Sequence, residues 1–330
     1  MMKEPWFWHG DTIAAKAVRT TLKPLAYLYS AGHHFRCAMT KTQRASIPII
    51  CIGNATVGGV GKTPLAIRIY DLLREDGIEV FFLSRGYGGS AHGPLLVDRD
   101  QHTADEVGDE ALLLAAKGPT IVSRNRPTGA AFAAKHGAQA IIMDDGFQNP
   151  TIYKDVSILL VNNEITNSQE HLFPAGPFRE SLNDARQRAD IVVGVGDNID
   201  DAKLAHPADH YAWREAVGAI EPMKVIAFAG IGRPQGFFDL LAKNGFTVEK
   251  AIGFPDHHQY APTELDILRR KAVSLDAQLM TTEKDFVRLP PEYRQDVATL
   301  KITMALDDPD GLRQRIMSII HSTADNRPST

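Results

Sequence analysis

The chain has 330 residues, 44% hydrophobic and 23% charged, with a formal net charge of −4. That length exceeds a typical single domain, so two are expected, and the net charge excludes a nucleic-acid footprint over the whole protein. Cys37 and Cys51 are the only cysteines, too few for a disulfide framework, which favours a reducing compartment.

Residues 1–46 hold seven basic side chains, Lys3, Lys16, Arg19, Lys23, Arg36, Lys41 and Arg44, against Glu4 and Asp11. Trp6, Phe7, Trp8, Leu25, Tyr27, Leu28, Tyr29 and Phe35 lie among them. No run there reaches the roughly 18 apolar residues of a spanning helix. A basic, aromatic-bearing amphipathic segment either lies on an anionic leaflet or packs on the protein's own sheet, and the residues leave both open.

The apolar run that begins at Ile47 breaks into glycines and ends at Gly61, Lys62 and Thr63. A helix over 64–74 follows, so strand, glycine loop and helix N-terminus arrive in the order of a phosphate-binding loop. In that arrangement backbone N–H groups surround phosphate oxygens, Lys62 faces the β/γ-phosphates and Thr63 offers its hydroxyl to Mg²⁺. The pattern G-x-x-x-x-G-K-[ST] requires glycine where this chain has Thr56, and Gly58 and Gly59 compensate.

A strand over 80–83 then runs into the loop SRGYGG at 84–89. Ligands of parallel α/β sheets bind at such carboxyl ends, which makes Arg85 and Tyr87 candidates for substrate contact. A short strand is read at 94–98, and acidic residues from Asp105 to Glu110 open a helix. The next elements are a strand at 121–123, a helix over 128–136, and a strand at 140–143 that ends at Asp144 and Asp145. A carboxylate at a strand end after four apolar residues resembles the second nucleotide-site motif of P-loop proteins, which binds Mg²⁺ directly or through water. Two further apolar strands, 156–161 and 191–195, bracket Pro174 and Pro177. Arg179 then stands at the start of a predicted helix over 180–188, where a guanidinium suits bidentate phosphate contact.

Around 197–222 the strand pattern lapses, marking a boundary. A second αβ unit follows: strand 224–229, helix 235–243, strand 246–248, helix 263–275 and strand 279–280. Gly230 and Gly232 lack the third glycine of a dinucleotide fingerprint. His257 and His258 beside Asp256 lack a third ligand at zinc spacing, so proton handling or orientation is the better reading. Residues 322–330 read as a disordered tail. The fold class is α/β: a P-loop NTPase-like core with a mostly parallel sheet flanked by helices, plus a second, smaller α/β domain.

Eight motifs, GNATVGGVGKTP (53–64), SRGYGG (84–89), EVGDE (106–110), DDGFQ (144–148), PAGPFRE (174–180), FAGIG (228–232), FPDHH (254–258) and TTEKD (281–285), occur in that order over nearly the whole chain. Together they resemble the tetraacyldisaccharide 4′-kinase family of lipid A biosynthesis. The resemblance implies transfer of the γ-phosphate of ATP to the 4′-hydroxyl of a tetraacylated glucosamine disaccharide 1-phosphate, at the cytoplasmic face of a Gram-negative inner membrane. It favours the membrane for the N-terminal segment. It also implies four segments: residues 1–45 at the membrane, 46–205 as the P-loop kinase domain, 206–321 closing over the nucleotide, and 322–330 as the tail. By position, Thr56, Val57, Gly58, Gly59, Val60, Gly61, Lys62 and Thr63 hold the phosphates. Thr63, Asp144, Asp145 and Glu110 face Mg²⁺, Asp109 takes the hydroxyl proton with His257 as its partner, and Arg179 meets the γ-phosphate. Between His257 and His258 the sequence alone does not decide. No nucleic acid and no protein partner is expected beside ATP, Mg²⁺, the glycolipid and the membrane surface. The rival reading is a switch ATPase of the partition or targeting type, against which Val57 stands where those proteins carry a signature lysine.

Overall fold

A computed structural model describes residues 5–8, 10–167, 170–205, 207–218 and 221–324. The strands are β1 Ile49–Asn54, β2 Val80–Ser84, β3 Leu95–Leu96, β4 Thr120–Val122, β5 Ala140–Asp144, β6 Val156–Asn162, β7 Ile191–Gly196, β8 His210–Val217, β9 Lys224–Ala229, β10 Thr247–Gly253, β11 Gln278–Thr282 and β12 Val297–Leu306. They form one sheet in the order β10-β9-β11-β12-β8-β7-β6-β1-β5-β2-β4-β3. Only the β3·β4 and β8·β12 pairings are antiparallel. The expected mostly parallel, helix-flanked sheet is therefore present. The strands β1, β2, β4 and β5 are buried along their whole length, because helices cover both faces of a parallel sheet, and they read as unbroken apolar runs for the same reason.

The interval 197–222, read as a lapse between two units, contains β8, which pairs with β7 on one side and β12 on the other and makes the sheet continuous. Its burial is mixed and it carries Arg214 and Glu215, so no apolar run announces it. The end of the chain returns to the first half: Met304 and Leu306 of β12, with Leu312, Ile316 and Ile320 of the helix Pro309–Ser322, join the large core around β1, β5 and β6. Those residues fall inside the range 206–321, so that range does not coincide with one core. Two smaller clusters, centred on Phe228 and Leu265 and on Phe237 and Leu241, pack around β9 and β11. The expectation of a tail over 322–330 does not hold for its first residues. Ser322 closes a helix and the Thr323 carbonyl accepts from Arg44 at 3.0 Å, while residues 325–330 lie outside the described residues.

The N-terminal segment is one helix, α1 Ile13–Met39, capped by the Thr12 hydroxyl on the Ala15 N–H. The segment docks on the protein: Trp8, in the turn before the helix, donates its Nε1 to the Pro174 carbonyl at 3.1 Å, and the Tyr29 ring on one side of α1 lies 5.3 Å from that of Phe173. Ile13, Leu25, Tyr27, Leu28, Phe35 and Met39 are exposed on the other. Among the described residues no helix is long and apolar enough to cross a membrane. Lys3 and Glu4 of this segment lie outside the described residues.

Candidate active site

β1 delivers its last residue, Asn54, to a loop that turns through Gly61, where φ is 95°, into the helix α2 Lys62–Glu75. That left-handed conformation suits glycine, and it aims the first N–H groups of α2 back at the loop. Thr56, the residue out of pattern, is buried and has a local purpose. Its hydroxyl accepts from Asn54 Nδ2 at 3.0 Å, and its backbone bridges to Phe178. Val57 N donates to the Pro177 carbonyl and Arg179 N to the Ala55 carbonyl, both at 2.8 Å. The backbone of the loop is thus stapled to the segment that carries Arg179, and the Thr56 hydroxyl adds a bond to Asn54 that glycine could not make. Lys62 Nζ donates to Asn54 Oδ1 at 3.1 Å and lies 3.5 Å from Asp145 Oδ1.

The adjacent carboxylates at the end of β5 differ in state. Thr63 donates its hydroxyl to Asp144 Oδ2 at 2.7 Å, whereas Oδ1 of Asp144 is buried with no hydrogen-bond partner. Burial, and then the charge of Glu110, push the Asp144 carboxyl up to about 7. Burial would raise Asp145 too, but Lys62 and Arg179 overcome it and hold that carboxyl below the usual range. Arg179 Nη1 lies 3.2 Å from Asp145 Oδ1 and 3.3 Å from Gln148 Oε1. The sequence reading puts Arg179 at the start of a helix over 180–188, and the structure corrects this. The helix is Leu182–Gln187 with Ser181 as its cap, so Arg179 sits on the extended segment that pairs with the phosphate loop.

The acidic helix read from Asp105 onward is two helices, α3 Ala104–Val107 and α4 Asp109–Ala115. Gly108 breaks them at φ 87°, where a Cβ would come within 2.5 Å of the Tyr87 carbonyl oxygen. The break places Asp109 at the first position of α4, turned toward the second half of the chain. His257 Nδ1 lies 2.8 Å from Asp109 Oδ2, and Arg288 Nε donates to the same oxygen at 3.0 Å. The other oxygen accepts the Glu110 N–H at 2.9 Å. Burial alone would raise Asp109, yet the hydrogen bond from His257 and the charges of Lys284, His257 and Arg288 hold it at about 2.

His258 is elsewhere, bonded to Glu264 at 2.9 Å and stacked on Phe254, so His257 is the histidine that meets Asp109. His257 takes a left-handed φ of 57°, as does Asp145 at 52°. Such conformations cost of order 1–3 kcal/mol and persist where their surroundings impose them. Here the His257 N–H is bonded to the Gly230 carbonyl at 3.0 Å.

An open cleft of about 240 Å³ lies over this pair, lined by Tyr87, Gly88, Ala104, Asp109, His257 and Arg288, with Gln259 at its edge. Tyr87 therefore lines this cleft. Arg85 is exposed at the end of β2 and does not line the cleft. Sequence reading missed Asn54, Gln148, Lys284 and Arg288. Asn54, Gln148 and Lys284 lie in motifs at or just after strand ends, the signal that could have found them. Nothing local marks Arg288.

Mg²⁺ takes a few carboxylate or hydroxyl oxygens and completes its shell with water and phosphate. The unpartnered Asp144 Oδ1, with Thr63, Asp145 and Glu110 nearby, is a hard-oxygen set of that kind. Among the described residues no three His, Cys, Asp or Glu side chains form a cage by themselves, as a site shared with phosphate would not require.

The LpxK family model, tetraacyldisaccharide-1-P 4′-kinase, matches residues 18–321. Proteins named tetraacyldisaccharide 4′-kinase are similar along the chain: one from Azorhizobium caulinodans is 45% identical, over 88% of this chain and 90% of its own. One from Rhodospirillum centenum is 39% identical, over 98% and 99%. A crystal structure of LpxK from Aquifex aeolicus in complex with ATP superposes with a TM-score of 0.73 at 27% identity, covering 92% of this chain and 99% of that one.

Proposed function

The chain belongs to the tetraacyldisaccharide-1-P 4′-kinase family, and from that premise we propose that it moves the γ-phosphate of ATP to the 4′-hydroxyl of a tetraacyldisaccharide 1-phosphate in lipid A biosynthesis. The observation that carries this reading is the Asp109–His257 pair, 2.8 Å apart in an open cleft beside a phosphate loop. A nucleotide switch needs the loop but no such pair.

In this reading the loop from Thr56 to Thr63 surrounds the phosphates, with Lys62 on the β- and γ-oxygens and Arg179 beside them. Thr63, Asp144, Asp145 and Glu110 would hold Mg²⁺, which neutralises phosphate charge when bound. Asp109 stays ionised throughout the physiological range and accepts the proton of the 4′-hydroxyl. The new bond joins that oxygen to the γ-phosphorus, the bond to the β,γ-bridging oxygen breaks, and ADP departs. Transition states of this kind are loose, so a weak base that is well aimed suffices. His257 holds Asp109 in place. Asp109 comes from the first unit and His257 from the second, which supports movement of the elements around β9, β10 and β11, the part of 206–321 with its own cores, over 46–205 as the step that completes the site.

The test is phosphate transfer in detergent with ATP, Mg²⁺ and the tetraacyl disaccharide 1-phosphate. Labelled glycolipid should form only with the acceptor present and stop on chelation of Mg²⁺. No glycolipid product from folded protein would sink the reading, and equal nucleotide turnover without acceptor would favour the switch ATPase.

The exposed apolar and aromatic side of α1, together with its basic residues, supports placement on the anionic cytoplasmic face of a Gram-negative inner membrane. Protein lacking residues 1–40 should fail to float with phosphatidylglycerol vesicles that carry the intact chain. Equal flotation of both would refute this placement.

A further inference from the structure

One cation beside the Asp109–His257 pair has no part in the steps above. β11 ends at Thr282, whose hydroxyl caps the short helix Glu283–Phe286 by accepting the Asp285 N–H at 3.0 Å, and this turn brings Lys284 beside Glu110, His257 and Asp109. Its ammonium lies 3.4 Å from Glu110 Oε1, 3.4 Å from His257 Nε2 and 3.9 Å from Asp109 Oδ2. A charge-assisted N–H···O bond is normally about 2.7–2.9 Å, so each of these contacts is loose, and an ammonium has three protons to give.

The position is more telling than the contacts. Asp109 and His257 mark where the acceptor hydroxyl must sit. Glu110 marks the nucleotide side, because its charge reaches Asp144, next to Thr63 and Lys62. Lys284 bridges the two, while Lys62 and Arg179 are both engaged by Asp145 on the donor side. A phosphoryl group in flight spreads negative charge over its non-bridging oxygens, and on the acceptor side the ammonium of Lys284 is the flexible cation within reach. Arg288 is buried and committed to Asp109, Asp285 and the Gly230 carbonyl.

We propose that Lys284 is a catalytic residue that binds a non-bridging oxygen of the phosphoryl group as it reaches the acceptor, and then the new 4′-phosphate. The inference rests on the kinase reading. On binding, the ammonium exchanges its long contacts to Glu110 and His257 for a phosphate oxygen.

Lys284→Met keeps the length of the side chain and removes the charge, and Lys284→Arg restores a cation. With the glycolipid acceptor, Lys284→Met should lower kcat about 10²- to 10³-fold while the equilibrium dissociation constant for ATP stays within twofold, and Lys284→Arg should recover at least tenfold of the loss. In direct titrations without turnover, wild type should bind the 4′-phosphorylated disaccharide more tightly than the unphosphorylated one, and Lys284→Met should lose that preference. A purely structural lysine would weaken both ligands equally. Wild type that transfers nothing sinks the kinase reading and this inference together. Wild type that transfers, with Lys284→Met within threefold in kcat or still preferring the phosphorylated ligand, overturns the inference alone.

Discussion

Replacing Lys62 with alanine should lower kcat/KM for phosphate transfer about 10³-fold or more, or about 4 kcal/mol of transition-state stabilisation. The lysine is held in place by the protein itself. Asn54 Oδ1 at 3.1 Å and the Gly58 carbonyl at 3.3 Å hold its ammonium over the loop, and Asp145 balances its charge. Phosphoryl transfer depends mainly on alignment and charge neutralisation, so removal of a preset cation falls largely on the transition state. Lys62→Arg should not rescue, because a planar guanidinium cannot take the compact seat between Asn54 and Gly58. Steady-state rates of the two variants, beside an unfolding midpoint near wild type, check this. Activity of Lys62→Ala within tenfold of wild type would remove Lys62 from the mechanism.

A large loss of stability is expected from Asp285→Ala, about 3–5 kcal/mol in denaturant unfolding. Asp285 is fully buried. Its Oδ1 accepts from Tyr260 at 2.8 Å, the Gly230 N–H at 3.0 Å and Arg288 at 3.1 Å, and its Oδ2 from Thr282 at 2.6 Å. Truncation strips four donors of their acceptor at once and leaves the Arg288 guanidinium, 1% exposed and with Nη2 already unpartnered, short of one of its two carboxylates. Burial and the Asp285 carboxylate push the Tyr260 phenol well above its ordinary range, so it stays a donor throughout. Because Arg288 also grips Asp109, the variant should lose activity along with stability. A cost under about 1 kcal/mol would show that the network is not held together by this carboxylate.

Much of the site was legible because its parts are local. The run from Ile49 through Thr63 encodes strand, loop and helix start within one stretch of chain, and the pairs Asp144–Asp145 and Asp109–Glu110 stand at the ends of apolar runs or beside a glycine. Local patterning also failed in identifiable places. β8 and β12 are half-exposed and take each other as partners, so neither carries the apolar run of a buried parallel strand. The break at Gly108 looked like helix interior, because a single glycine amid good helix formers does not announce a φ of 87°.

The amino-acid sequence by itself determined the α/β class, the phosphate loop and, through eight ordered motifs, the family. Those are properties of periodicity, turn chemistry and residue order, which need no partner from elsewhere in the chain. Tertiary structure decided the pairing of Asp109 with His257 and not His258, across 148 residues, and the placing of Arg288 on the same oxygen across 179. It also decided how the loop around Thr56 is held, by backbone bonds to the segment of Phe178 and Arg179 and by the Thr56 hydroxyl accepting from Asn54. Each of these is a contact between strand-end loops that become neighbours only when the sheet is assembled, so no local pattern could carry it.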